Sequence, residues 1–293
     1  MVTAAPAHLL AAPRAADFTF IFFTDTHIQP ELDATQGTAM AFKKARLVKA
    51  DFAIGGGDLV FDAAAVTKDR VVSLYDLYGK TEQDLGLKVY HTIGNHDVVG
   101  AGGKLIASSD PAYGKKLYEE RFGKTYYSFD HKGYHFVILD SIEYQPDHSF
   151  IGRINDDQMR WLSADLASQP KGTPIVVVVH VPLATSVFSY LGPDTYKGAS
   201  GVTVTNAAQV IALFEGYNVI GVLQGHTHVN ETVTWKGVPF VTSGAVCGNW
   251  WRGSRLGIPE GFTVVELANG KMKTRYETYG FKSVSPTDGP GYK

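Results

Sequence analysis

A chain of 293 residues, 44% hydrophobic and 19% charged, carries enough apolar material to bury a full core. Its formal net charge of −2, with 27 basic residues scattered among 29 acidic ones, excludes an electrostatic binder of long nucleic acid. A single cysteine excludes an intrachain disulfide framework and a thiolate metal cluster, and the absence of any apolar run near eighteen residues excludes a membrane-spanning helix.

The opening from Val2 to Ala16 is rich in alanine and proline and resembles the end of a secretory leader without its basic region. Residues 1–16 are therefore expected as a loose tail or a trimmed leader of an exported protein, and 17–293 as one domain, since no repeat or composition break divides them. Phe18 to Phe23 reads as a strand apolar on both faces, and hence covered on both. It ends in Asp25-Thr26-His27, whose first and third side chains would share a direction in extended chain. Ala34 to Lys49 reads as a helix and Asp51 to Ile54 as a second strand. The three glycines at 55–57 then let the backbone close on whatever Asp58 holds. Val66 to Leu85 has apolar residues at helical spacing. Lys88 to Ile93 is a short strand that stops at Gly94 and then offers Asn95, His96 and Asp97, three polar side chains that no packed core needs together.

A loop is expected at 100–103, and Asp110-Pro111 should open a short helix running through Tyr118 and Phe122. Thr125 to Phe129 and Tyr134 to Leu139 read as a hairpin, and Asp156 to Leu166 as a helix. The β-branched run Ile175 to Val179 is a buried strand with His180 at its end. After a helix over Asn206 to Glu215, the strand Asn218 to Leu223 leads to Gly225-His226-Thr227-His228. Thr232 to Trp235 pairs with Pro239 to Thr242, and Phe262 to Leu267 pairs with Met272 to Tyr279 around Asn269-Gly270 as a C-terminal β-hairpin extension.

Five polar motifs thus follow five strand-like runs. In alternating α/β folds ligands bind beyond the carboxyl ends of the strands, so these motifs can meet in one crevice although they span two hundred residues. Asp25, His27, Asp58, Asn95, His180, His226 and His228 offer oxygen and nitrogen without soft sulfur, a mixture suited to Mn, Fe, Zn or Co. They overfill one ion, whereas two ions sharing a carboxylate use them and leave room for water and substrate. Two divalent ions against two aspartates leave a local surplus of positive charge, which attracts a phosphate in spite of the acidic chain.

The ordered series Asp-x-His, Gly-Asp, Gly-Asn-His-Asp, His and Gly-His-x-His resembles the signature of the calcineurin-like metallophosphoesterase superfamily, from Asp25 to His228, about two thirds of the chain. The resemblance implies a four-layer α/β/β/α sandwich of two mixed sheets flanked by helices, with a binuclear centre of two divalent or trivalent ions, Mn, Fe or Zn. It places Asp25, His27 and His228 on one metal and Asn95, His180 and His226 on the other, with Asp58 bridging. His96 becomes the catalytic histidine next to the metals, and Asp97 its orienting partner. The activity implied is hydrolysis of phosphomonoesters or phosphodiesters by metal-activated hydroxide. Leu139-Asp140-Ser141 and the later Gln158 to Leu162 are similar to the branch with cyclic-nucleotide phosphodiesterases and purple acid phosphatases, but Phe61 stands where the latter have a tyrosinate. An inactive interaction module on the same fold and a nuclease are the rival readings; intact ligands argue against the first and the lack of a basic track against the second.

A small phosphate ester is the expected partner, with oligomeric state left open by the residues. Cys247 reads as a small buried hydrophobe. In Gly248 to Gly253, adjacent Trp250 and Trp251 cannot both enter one core from extended chain. Either both rings cap the sandwich edge, or the loop borders the metal crevice, one indole facing the ester's organic group and Arg252 holding its phosphate.

Overall fold

The computed structural model describes residues 15–192 and 201–287, so of the expected tail only Ala15 and Ala16 are described. In chain order the elements are β1 (Phe18–Phe23), α1 (Ala34–Ala45), β2 (Ala53–Gly55), α2 (Lys68–Glu82), β3 (Val89–His91), α3 (Lys116–Phe122), β4 (Tyr127–His131), β5 (Tyr134–Leu139), β6 (Ile142–Tyr144), β7 (Phe150–Gly152), α4 (Asp156–Ser168), β8 (Pro174–Val179), α5 (Val187–Leu191), α6 (Ala207–Ala212), β9 (Asn218–Gln224), β10 (Glu231–Trp235), β11 (Val238–Thr242), β12 (Gly261–Ala268) and β13 (Lys271–Thr278). No helix among the described residues is long and apolar enough to cross a membrane.

Two mixed sheets form, β13-β12-β1-β2-β3 and β10-β11-β9-β8-β5-β4, with β6 and β7 as a separate ribbon. The period-2 alternation of each apolar strand divides its side chains between two interiors. Phe20 and Phe22 of β1 face Phe136 and Ile138 of β5 and Val176 and Val178 of β8 between the sheets, with Phe20 meeting Phe136 edge to face at 5.5 Å. The intervening Ile21 and Phe23 turn outward under α1, where Phe23 meets Phe42 at 5.0 Å. Strands apolar on both sides thus need cover on both, and the result is the α/β/β/α sandwich.

β1, β2 and β3 are parallel, as are β5, β8, β9 and β11, so their carboxyl ends emerge on one edge of each sheet. The C-terminal hairpin is not an extension: β12 pairs antiparallel with β1 from Phe18↔Leu267 to Phe22↔Thr263 and completes the first sheet. β11 likewise pairs with both β10 and β9. The helix expected from Asp110 starts only at Lys116, because Asp110 Oδ1 accepts the Ala112 N–H at 2.8 Å and the chain turns locally instead. The β6–β7 ribbon and α5 had no expectation in the sequence.

Candidate metal centre

Asp25, His27, Asp58, His226 and His228 all have left-handed backbone, with φ of 53°, 42°, 52°, 72° and 58°. Such conformations cost non-glycine residues of order 1 to 3 kcal/mol each and persist only where surrounding bonds dictate them. Here the Asp25 N–H donates to Gly57 O at 2.9 Å, His27 N–H to Asp58 O at 3.0 Å and Gly225 N–H to His180 O at 3.0 Å, which cross-link the strand ends. Asp25 and His27 therefore converge by a left-handed kink, not by the extended alternation expected from their spacing.

The side chains meet closely. His27 Nε2 lies 3.5 Å from Asp58 Oδ2 and 3.8 Å from Asp25 Oδ1; His228 Nε2 lies 3.3 Å from Asp25 Oδ1; His180 Nε2 lies 3.2 Å from Asp58 Oδ2. Each carboxylate is held from behind: Asp25 Oδ2 accepts from Thr24 Oγ1 at 2.8 Å and His226 N at 2.9 Å, and Asp58 Oδ1 from His96 N at 2.8 Å. Three of the imidazoles are held likewise. Nδ1 of His180 donates to Gly56 O at 2.8 Å and Nδ1 of His228 to Gly248 O at 2.7 Å, while Nδ1 of His27 is 3.4 Å from Phe61 O. These bonds orient the rings so that Nε2 points toward the cluster.

His27 Nε2, His180 Nε2, His226 Nδ1 and Asn95 Oδ1 are buried without a hydrogen-bond partner. An unsatisfied buried polar atom costs about 1 to 3 kcal/mol, and four in one place fit a cation that would accept their lone pairs. Among the described residues, ligand atoms within 4.8 Å of one another form three groups, His27-Asp58-His96, Asp58-His180-His226 and His27-His228-Cys247, of which the first two share Asp58. Cys247 is fully buried, its Sγ 3.7 Å from His228 Nδ1.

Charge is distributed to match. Burial alone would raise the Asp25 carboxyl, but His228 and His180 beside it hold it below the usual carboxylate range, and Asp58 is held down by His180 and His96 in the same way. Burial would lower His180, yet Asp58 and Asp25 push it up to about 9. His226 is pushed down to about 4 by burial and by His180, and burial likewise lowers His27.

Asp97 does not orient His96. Its carboxylate accepts the backbone N–H of Leu59 and of Gly94, both at 2.9 Å, so it ties the Asp58 loop to the Asn95 turn. Burial and the Asp58 charge push it up to about 7. The acid nearest the His96 ring is Asp62, with Oδ1 at 3.9 Å from Nδ1. Only the position of Asp62 four residues past Asp58 could have suggested it.

The two tryptophans separate, but through left-handed backbone at both, φ 55° and 67°, and not by the alternation of extended chain. Trp251 is fully buried and its indole N–H donates to His27 O at 3.0 Å. Trp250 is half-buried over the cluster, its ring centroid 4.0 Å from His27, 5.0 Å from His96 and 5.3 Å from His228. Arg252 is exposed, donates to Ser285 Oγ at 3.0 Å and lines a cleft with Trp250.

The fold is a two-sheet sandwich with a histidine and aspartate cluster at its strand ends. The family model for calcineurin-like phosphoesterases matches residues 18–230, and the chain belongs to that family. It is 25% identical over 180 residues to a probable cyclic nucleotide phosphodiesterase of Rhodococcus erythropolis, covering 61% of this chain and 52% of that protein. It is 23% identical over 192 residues to a cAMP/cGMP dual specificity phosphodiesterase of Mycobacterium tuberculosis, covering 64% and 54%. The chain thus spans about half the length of the curated relatives it matches. Among solved structures, a dimetal phosphatase from Danio rerio superposes with TM-score 0.60 at 16% identity over 88% of this chain and 98% of that one. A purple acid phosphatase from yellow lupin (Lupinus luteus) seeds superposes with TM-score 0.63 at 15% identity over 91% and 52%. At these identities the likeness of the structures is one of fold.

Proposed function

We propose that this protein hydrolyses small phosphomonoesters or phosphodiesters at two transition-metal ions, Mn, Fe or Zn, that share Asp58. The carrying observation is the set of four orphaned buried ligand atoms, three of them on residues of the two groups that meet at Asp58. His27 and His228 with Asp25 would hold one ion, and His180, His226 and Asn95 the other. When bound, such ions supply a nucleophile at neutral pH and neutralise charge developing on the phosphoryl oxygens.

The chain's own groups have separate tasks. Carbonyl-tethered imidazoles keep Nε2 aimed inward, so little movement of the rings accompanies loading. His96 stands beside the cluster, where it would give a proton to the leaving oxygen, and Asp62 is its nearest acid. Arg252, on the rim of the cleft, is placed to meet a substrate phosphate if it leaves Ser285. The names of the two bacterial relatives put cyclic nucleotides first among the diesters to assay.

The test is elemental analysis with turnover of bis-p-nitrophenyl phosphate, p-nitrophenyl phosphate and cyclic AMP by metal-reconstituted protein. Two ions per chain and hydrolysis are expected, and Asp58→Ala should lose both ions together. A single tightly bound ion under excess metal, or turnover that survives Asp58→Ala, would overturn the reading.

A further inference from the structure

Beside the cluster lies a cleft of about 480 Å³, within the usual range for ligand pockets, lined by Gln29, Glu31, Leu32, Phe61, Trp250 and Arg252. Three observations distinguish it from a surface groove. Trp250 joins it to the ligands, since the same indole packs against His27, His96 and His228. Phe61 stands edge-on to Trp250 at 5.9 Å, giving the cleft two aromatic walls. Gln29 is 4% exposed as a whole residue and lines the cleft, and its carboxamide makes no hydrogen bond among the described residues. A carboxamide with neither donor nor acceptor used by the protein complements an edge that offers both.

The wall is built at a cost. Trp250 is forced into left-handed backbone between Gly248 and Gly253, where the Asn249 N–H donates to Gly253 O at 2.7 Å and the Trp251 N–H to Cys247 O at 2.7 Å. Trp251 anchors this turn by its buried ring and its bond to His27 O. The strain holds one flat ring at the mouth of the cluster, a position that a core does not demand.

We infer that this cleft is the subsite for the organic group of the substrate, and that it selects a nucleobase. The phosphate would sit at the metals, the base would stack on Trp250, and its amide-like edge would pair with Gln29, as glutamine and asparagine pair with adenine elsewhere. The inference rests on the phosphoesterase reading for the place of the phosphate. It goes beyond it in naming the group that Trp250 and Gln29 recognise.

The test is equilibrium binding to the metal-loaded protein by calorimetry, with tryptophan fluorescence as a second signal. The probes are adenosine 5′-monophosphate, ribose 5-phosphate and phenyl phosphate, which share a phosphate and differ in the ring. Adenosine monophosphate should bind at least about tenfold tighter than ribose 5-phosphate, the scale of one base stacked on an aromatic ring. Trp250→Ala should abolish that advantage and leave ribose 5-phosphate within twofold, and Trp250→Phe should restore most of it. Gln29→Leu should weaken adenosine monophosphate and spare phenyl phosphate. Equal binding of the first two probes, or equal weakening of both by Trp250→Ala, overturns the inference even where ester turnover proceeds. Phenyl phosphate binding as well as adenosine monophosphate would overturn the nucleobase assignment. Tight, Trp250-dependent nucleotide binding without turnover of any ester would sink the phosphoesterase reading and leave this subsite standing.

Discussion

His96 has a buried Nδ1 without a hydrogen-bond partner, a backbone N–H bound to Asp58, and a ring 4.8 Å from that of His27. A proton donor to the leaving oxygen is typically worth about 10² to 10⁴ in rate, most for poor leaving groups. His96→Asn should therefore reduce turnover of alkyl phosphate esters far more than that of nitrophenyl esters. Metal content is the discriminating control: a variant that loses an ion would show His96 acting as a ligand within the group it forms with His27 and Asp58. Asp62→Asn should give a smaller loss with the same leaving-group trend. The residue types of the centre were legible because amides, imidazoles and carboxylates at strand ends have little structural use. Their roles were less so, since Asp97 and Asp62 are both near His96 in sequence or space, and only the fold shows that Asp97 is spent on backbone amides.

Among the elements, α1 and the loop after β2 carry the sharpest constraints. Gly37 is in the body of α1, where alanine would be favoured by about 1 kcal/mol of helix propensity. A Cβ there would lie 2.2 Å from Trp251 Cζ3 and 3.0 Å from the Phe281 ring. Overpacking of this kind costs about 1 to 3 kcal/mol, so Gly37→Ala should lower Tm by a few degrees although it improves the helix. A rise in Tm would show that Trp251 can move without harm. Gly57, at φ 98°, would place a Cβ 2.5 Å from His180 Nδ1, the atom that tethers the ring to Gly56 O. Gly57→Ala should thus weaken the ion at His180 and His226 by a measurable factor in competition with a chelator. Single elements followed from apolar runs, but their partners did not: a hairpin at the chain's end gives no local sign that β12 will lie beside β1. Pairing of that kind is decided by which apolar faces remain uncovered once the other strands have met.

For the molecule as a whole, folding and loading are linked through protons. His180 is held at about 9 by Asp58 and Asp25, so at neutral pH without metal it carries a proton that a cation must displace. Affinity at that position should rise with pH, by up to tenfold per unit while His180 remains protonated, as titrations at pH 6, 7 and 8 would measure. The sign for stability is opposite. A raised histidine pKa stabilises the metal-free fold fully below about 6.5, and this contribution is lost as pH rises through about 9. Chelation should consequently lower Tm most at alkaline pH, and readdition of Mn should restore it by an amount that grows with free metal, about 4 kcal/mol at a thousandfold excess over Kd. A Tm insensitive to chelator at every pH would contradict the linkage. The tethering of His180 and His228 to backbone carbonyls has a further consequence. If the proposed ions bind, most of their shell would be held in place by the sheets beforehand, and shells of nitrogen and oxygen favour the later divalent metals on affinity alone. Which element occupies this protein would then be decided by supply during synthesis, so preparations from zinc-rich and manganese-rich cultures should differ in specific activity while sharing one fold.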